Sequence, residues 1–423
     1  MIQVRFQDSA RQELITKAFI RSFTRAQVNV TSPALVLVSD QVLETDRQKK
    51  IIVFGKTPSL EFLSLAKIIS DEKDGQAVAF LDHVLTANVF PRMRAFERFD
   101  FTNEWNNLGY GRIEKSSDSP FGIAETSSLY AGLYDSAERS VLWVNRNVGP
   151  LDGFDWRMVE DFVSTYRKYE LGGIPRLAEI PDGYQAAATM RIDCDENIVS
   201  GRPLFELYRK NNFPFSMAIK TKQKIGSDEI KLMREVIDAG GSIVSHSHTH
   251  APDWGGDQAQ WEAETSIKIL EDALPGYKIR YAVSPFHQNS MRAIEGIKAA
   301  GIEGFVGGII HNDPEYLFAR AGEVPFVEGI ISHSQQCMFH GDCYHAAHNS
   351  IEVYLAALRS AIKTQTFFGF LDHPFSNYQY GWKNEDERLG VHQEFLDELN
   401  RVPDLWKASL VQALDFLKGR FLK

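Results

Sequence analysis

Three histidines fall within five residues, in the run Ser245-His246-Ser247-His248-Thr249-His250-Ala251. His246 and His250 are four apart, so one helical or turn-like segment aims both imidazoles at one point. Upstream lies Asp193-Cys194-Asp195, closing a stretch from Met190 in which apolar and polar residues alternate. That alternation puts Asp193 and Asp195 on one face of a strand. Neighbouring carboxylates repel unless a cation lies between or beside them. With a divalent metal present, one carboxylate ligates and the other is left as a base. Two histidines and one carboxylate make a facial metal site. Taken singly, paired aspartates often cap helices or turns, and loop histidines are often merely solvated. Their coincidence in one chain selects metal-assisted hydrolysis.

The elements that position these residues read as α/β. Strands are predicted at Thr189 to Asp195, Phe215 to Ile219, Ser242 to Ser245, Tyr281 to Ser284, Gly304 to Gly307 and Phe367 to Leu371. Helices are predicted between and after them, at Arg202 to Lys210, Asp228 to Ala239, Gln258 to Ala273, Ser290 to Ala300, Ile351 to Ile362 and His392 to Leu399. Such alternation predicts a barrel of parallel strands with its active site at the strands' C-terminal ends. A last amphipathic helix, Leu405 to Leu417, is expected to pack across it. Before Leu171-Gly172-Gly173-Ile174-Pro175, which reads as a linker, short apolar runs at Ala34 to Ser39, Lys50 to Phe54, Ala77 to Leu81 and Ser140 to Val144 suggest a smaller open sheet. Helices are expected there at Ser59 to Ile69 and Asp155 to Tyr169. The expected domains are 1–175 and 183–423.

Four short motifs occur in order, each after a predicted strand: Asp193-x-Asp195, His246-Ser247-x-x-His250, Ser284-Pro285-Phe286 and Leu371-Asp372-His373. In these the chain resembles the NodB-type polysaccharide deacetylases (carbohydrate esterase family 4 and relatives), over roughly residues 185–400. The resemblance implies a distorted (β/α) barrel that removes an acetyl group from an N-acetylated sugar with the help of a divalent metal. It assigns the metal to Asp195, His246 and His250, with zinc first and cobalt, iron or nickel as alternatives. It makes Asp193 the general base and His373 the general acid, and gives the Pro285-Phe286 turn a backbone N–H that helps hold the oxyanion. Two family features are absent. Val283 stands where the family carries an Arg that pairs with the base, which leaves Arg191, Arg280 and Arg292 as candidate partners. The aspartate that orients the acid histidine has no evident counterpart; Asp313, Glu328 and Asp342 lie in the right interval.

Other clusters read more plainly. His248 is expected to support a ligand. His333, Cys337, His340, Asp342, Cys343, His345 and His348 fit no standard zinc spacing and suggest a loop over the barrel mouth. Phe375, Tyr378, Tyr380 and Trp382 suit either a sugar platform or an apolar cover. Lys220, Lys222 and Lys224 read as a solvated turn before a phosphate site. Val53-Phe54-Gly55-Lys56-Thr57 lacks the first glycine of a phosphate loop, since Lys50 holds its place.

Composition bounds the partners. The chain has 423 residues, which favours two domains. A net charge of −10 argues against non-specific nucleic-acid binding. No apolar run reaches transmembrane length, and Met1 to Phe23 mixes charges into its apolar residues, so the expected location is the cytoplasm. The expected substrate is an acetylated sugar or glycan, with no nucleic acid. A related amidohydrolase acting on a non-sugar amide or formyl group, and a catalytically silent carbohydrate-binding module, are the alternatives. The sequence leaves the oligomeric state open.

Overall fold

The computed structural model describes residues 1–28, 34–41, 43, 46–54, 67–69, 131–144, 153–251, 256–287, 289, 291–309, 321–324, 327–335, 337–376 and 380–421. They fall into two compact units, Met1–Ala178 and Glu179–Lys423.

In the first unit, β1 (Ile2–Arg5), β2 (Val36–Ser39), β3 (Lys50–Phe54), β4 (Lys67–Ile69), β5 (Ala131–Asp135) and β6 (Ser140–Val144) form one sheet in the order β1-β2-β3-β6-β5-β4. The first four in that order run parallel, and β5 is antiparallel to both of its neighbours, β6 and β4. Helix α1 (Ser9–Ser22) is capped by the Asp8 carboxylate, which accepts from the N–H groups of Ala10 and Arg11. Its Ile15 and Phe19 join Val36, Val38, Ile52 and Phe162 in one core. Lys50 is fully buried. Its Nζ donates to Phe162 O (2.9 Å) and Val163 O (3.2 Å) in the last turn of α2 (Gly153–Ser164), so the ammonium satisfies carbonyls that the helix leaves unpaired. Burial, with Arg167 near, lowers its pKa to about 8.

The helix expected over Ser59 to Ile69 needs correction at its end, where Lys67–Ile69 is β4. The adjacent β-branched Ile68 and Ile69 suit the pleat and pair with Gly132 and Ala131. Residues 59–66, the strand expected at Ala77 to Leu81 and the triplet Gly55-Lys56-Thr57 lie outside the described residues.

The second unit alternates strand and helix: β7 (Ala186–Cys194), α3 (Arg202–Lys210), β8 (Ser216–Ile219), α4 (Ser227–Asp238), β9 (Ser242–Ser245), α5 (Asp257–Ala273), β10 (Tyr281–Val283), α6 (Met291–Ala299) and β11 (Gly304–Ile309). These five strands are parallel neighbours in chain order. Next come β12 (Gly322–Glu323), β13 (Ile331–Gln335), β14 (Cys337–Met338), α7 (Gly341–Ala346), α8 (Glu352–Thr364), β15 (Phe367–Asp372), α9 (Glu385–Arg401), β16 (Leu405–Ala408) and α10 (Leu410–Phe421). Strand β15 lies parallel on the other edge of β7. Strand β13 pairs with β11, and β14, one residue beyond it, pairs with β15. The segment from Ile331 to Met338 thus borders both ends of the parallel run.

One terminal element differs from expectation. Leu405–Ala408 is a strand paired with Ala186–Thr189 of β7, and the helix begins only at Leu410. Leu405 and Ala408 face the interior while Trp406 and Lys407 are half-buried, a pattern that a short strand and a helical turn share. No helix among the described residues is long and apolar enough to cross a membrane.

Strand β9, which delivers the histidine run, is entered through Gly241. A Cβ there would sit 2.2 Å from Phe215 O, so only glycine lets α4 turn closely onto the start of β8. Gly241→Ala is expected to destabilise the second unit by about 1–3 kcal/mol, read as a lowered calorimetric midpoint; an unchanged midpoint would show that the turn relaxes freely.

Candidate active site

Every motif residue singled out above stands at or just beyond the C-terminal end of a parallel strand: Asp193 and Asp195 at β7, His246 at β9, Phe286 after β10, Asp372 and His373 at β15. Asp193 is buried and held by Arg191, two residues back on the same strand face. Nε donates to Oδ1 at 2.6 Å and Nη2 to Oδ2 at 3.1 Å. This is a two-pronged charge-assisted pair. Burial alone would raise the Asp193 pKa, but the Arg191 guanidinium and then His246 outweigh it and keep the carboxyl well below the usual range. Among the three candidate cations Arg191 is therefore the partner of Asp193. Arg280 is instead paired with Asp415 at 2.6 and 2.7 Å, and Arg292 packs beside Gly256.

Asp195, His246 and His250 converge. Oδ1 of Asp195 lies 3.4 Å from His246 Nε2 and 3.5 Å from His250 Nε2. This oxygen is buried yet makes no hydrogen bond. Nδ1 of His246 lies 2.9 Å from Val283 O, which fixes Nδ1 as the protonated nitrogen and turns the Nε2 lone pair inward. The backbone of Val283 thus orients a histidine at the position where an arginine side chain was looked for. Burial, reinforced by His246, lowers the His250 pKa to about 4, so that ring is neutral near pH 7. Ligands held about 2.1 Å from zinc at tetrahedral angles stand about 3.4 Å apart. The spacing, the orphaned carboxylate oxygen and the inward lone pair all fit a divalent ion.

The histidine run is shaped by a residue that sequence reasoning missed. Glu262, fully buried on α5, accepts from His248 N (2.7 Å), Thr249 N (2.6 Å), Thr249 Oγ1 and Gln258 Nε2 (3.0 Å). Ser247 and His250 adopt positive φ (64° and 60°), and Ser247 Oγ accepts from His250 N at 3.0 Å. The run is therefore a tight turn rather than a helix, and it folds back so that both outer imidazoles face Asp195. His248 does not touch a ligand as expected; its Nδ1 meets Thr221 Oγ1 at 3.0 Å and its ring packs against Trp261. Beyond β10, Ser284 Oγ donates to the buried Asn289 Oδ1 (2.8 Å), and Phe286 holds a left-handed backbone (φ 51°) with its ring against His250 (4.4 Å).

On the other side, His373 Nε2 lies 3.5 Å from Asp195 Oδ2. Its Nδ1 hydrogen-bonds His340 Nε2 at 2.8 Å, and Tyr380 stacks on it at 3.8 Å. The group that meets His373 Nδ1 is not the aspartate expected from sequence. Asp313 lies outside the described residues, and Lys298 Nζ donates to the backbone oxygen of Glu328. Asp342 abuts Gly381, whose missing side chain lets α7 approach. The partner is a histidine, delivered by that same approach. Burial, then His373, lowers the His340 pKa to about 4. Beneath, Asp372 Oδ1 accepts from His373 N (2.8 Å) and Oδ2 meets His392 Nε2 (3.0 Å), while His392 Nδ1 meets Tyr208 OH (2.9 Å). Arg388 donates to His373 O at 2.9 Å. These buried side chains fix the backbone that carries the imidazole.

The cluster from His333 to His348 is dispersed rather than one site or one loop. His333 stacks on Phe367, His340 reaches His373, and His345 meets Glu387 at 3.1 Å. Trp382 is buried near Asp372, so it covers rather than binds; Tyr378 lies outside the described residues. Asp193, Asp195, Glu196, His373, Phe375 and Tyr380 line an open recess.

No protein-family model and no curated protein sequence matches the chain. Among solved structures, it is similar to a candidate polysaccharide deacetylase from Mycobacterium smegmatis (12% identity, TM-score 0.42, over 57% of this chain and 94% of that one). It is similar also to a family 4 carbohydrate esterase from Streptomyces lividans in complex with acetate (12%, 0.33, 53% and 93%) and to PuuE allantoinase (11%, 0.40, 58% and 94%). At such scores the chemistry has to be argued from the site's own residues.

Because Glu262 shapes the turn without facing the recess, Glu262→Gln should leave the fold intact by circular dichroism and weaken zinc binding about 10- to 100-fold in chelator competition. Wild-type affinity in that variant would mean that the turn holds its form without the carboxylate.

Proposed function

We propose that this chain is a metal-dependent hydrolase that removes an N-acetyl group from an amino sugar, in a glycan or a sugar-linked intermediate of polysaccharide biosynthesis. One observation carries the reading: Asp193, held by Arg191, and His373, held by His340, face the same recess as Asp195, whose free oxygen meets His246 and His250. On this reading a base and an acid stand beside a donor set suited to a divalent ion. The sugar as substrate rests on the motif resemblance, and the distorted barrel is the form that the pairing of β13 with β11 and of β14 with β15 supports.

Asp195, His246 and His250 would hold the ion. When bound, it supplies Lewis acidity toward an amide carbonyl and a lowered pKa for water. Asp193 is kept ionised by Arg191, with its lone pairs open to the proton released as water attacks. The turn at Phe286 offers a backbone N–H to the oxygen that gains charge. With His340 Nε2 accepting from Nδ1–H, His373 in its protonated, imidazolium form carries a second proton on Nε2, which it gives to the departing amine. Tyr380, stacked on the imidazole, limits its rotation.

A formyl group or a non-sugar amide would call on the same residues, and a substrate panel separates those cases. A silent binding module would have no use for Asp193. A buried pair costs several kcal/mol to desolvate, and Arg191–Asp193 touches the site only through a carboxylate aimed at the recess.

Purified protein is expected to hold about one zinc, cobalt, iron or nickel ion per chain and to release acetate from N-acetylated sugars. Asp193→Asn should cut that rate about 100-fold or more with metal content unchanged. Acetate release equal to wild type in the variant would remove Asp193 from the mechanism. A wild-type chain that holds none of these ions, even after zinc is added, would end the hydrolase reading. His340→Ala should lower kcat about 10- to 100-fold with KM little changed; an effect on KM alone would make His340 a substrate contact.

A further inference from the structure

Lys220, Lys222 and Lys224 follow β8 directly, and the register of the sheet brings the first of them to the metal donors. In the parallel ladder Ala218 stands opposite Asp193 on one side and Val244 on the other. Ala218 and Val244 belong to the buried core of the second unit. Side chains two residues on return to the same face. The next row is therefore Asp195, Lys220 and His246. Asp195 and His246 meet 3.4 Å apart across β8, the strand that lies between theirs. Lys220 N donates to Cys194 O (3.3 Å) and His246 N to Ile219 O (2.9 Å), which keeps the row aligned past the strand ends. The lysine segment is fastened on both sides. Thr221 N donates to Ser247 O (3.1 Å), Lys222 N to His248 O (2.8 Å) and Gln223 Nε2 to Cys194 O (2.6 Å). Lys220 is close enough for its charge to act on His250, adding to burial and His246 in lowering that pKa.

We propose that Lys220, supported by Lys222 and Lys224, forms a phosphoryl-binding position beside the metal donors, so that the substrate is an N-acetylated sugar carrying a phosphate or diphosphate group. This inference deepens the hydrolase reading and rests on it for the acetylated part of the substrate. Three lysines fall within five residues of a chain whose net charge is −10. Among the described residues none of the three forms an ion pair. Asp193 is offset by Arg191, and a divalent ion on Asp195 would leave that donor set with one positive charge in excess. The place is thus basic in an acidic protein, and such a field draws an anionic ligand. A carboxylate is matched best by the flat fork of an arginine, whereas lysines hold phosphate as point charges. Lys222 and Lys224 are exposed and Lys220 is half-buried, so a ligand reaches them from solvent.

Calorimetric titration of the zinc-loaded protein with N-acetylglucosamine, N-acetylglucosamine 1-phosphate and UDP-N-acetylglucosamine tests the proposal, with acetate release followed in parallel. Wild type is expected to bind a phosphorylated sugar about tenfold more tightly than the neutral one, by a margin that shrinks as salt is added. Lys220→Gln should bring that ratio close to one, and Lys220→Arg should keep most of it. Tighter binding of the nucleotide sugar than of the monophosphate would assign a diphosphate link, and equal or weaker binding a single phosphoryl group; both keep the position. No binding of either phosphorylated sugar by wild type, binding no tighter than that of the neutral sugar, or a preference indifferent to salt would overturn it. So would a preference that persists in Lys220→Gln, as when phosphate meets the ion itself. Salt-sensitive binding that is lost in Lys220→Gln, without acetate release from any of the sugars by wild type, would keep the phosphoryl position and overturn the hydrolase reading instead.

Discussion

Two carboxylates leave β7 on the same face, Asp193 buried and Asp195 partly so, and the surrounding structure answers the cost of that. Each ionised carboxylate buried there forfeits several kcal/mol of hydration, and the two repel. Arg191 offsets Asp193 from the same strand face, where the two-residue repeat guarantees contact. Asp195 has no such partner. Imidazoles from two other strands, His246 and His373, stand beside it, and the oxygen that faces His246 is left without a hydrogen bond. A divalent ion held there, as proposed, would complete that balance.

The sheet makes this arrangement rigid. Strand β7 is paired along its length, with β15 on one edge and β16 then β8 on the other. The two strands carrying the proposed acid and base are therefore direct neighbours, Asp372 lying opposite Ile192. Relative displacement of Asp193 and His373 would break several ladder hydrogen bonds at once. The histidine turn lacks that protection because it lies beyond its strand, and Glu262 supplies it instead from the following helix.

This division explains what could be read from sequence. Strands of the second unit such as Ser242–Ser245, and helices such as Arg202–Lys210, announce themselves through local periodicity and breakers like Gly240-Gly241. The donors Asp195, His246 and His250 were legible because strand ends concentrate them in short motifs. Arg191 was legible as a candidate, but only the pairing geometry separates it from Arg280 and Arg292. Glu262 and His340 were not legible in these roles. Their partners come from distant parts of the chain, and a glutamate in an amphipathic helix looks like any solvated one. Leu405–Ala408 was misread because four residues carry too little pattern to distinguish a strand from a helical turn, and its state is decided by an open edge on β7.

The substitution of His340 for a carboxylate has an electrostatic consequence. The proposed reaction builds negative charge on a substrate oxygen, and a fixed carboxylate about 4 Å away opposes that by about 1 to 4 kcal/mol, depending on local polarity. Asp193 is already offset by Arg191, and His340 is neutral near pH 7, since burial lowers its pKa to about 4. The site therefore orients its proposed acid through a lone pair without adding an anion. The cost falls on His373, which gains direction from His340 but no ion pair. The buried Asp372, with His392 and Arg388 around it, meets that deficit through the backbone, fixing where the imidazole stands rather than which charge it carries. Orientation and charge, which one aspartate would supply together, are here divided between two residues. Altering either should affect the site in a different way: His340 through the proton's direction, Asp372 through the position of the ring.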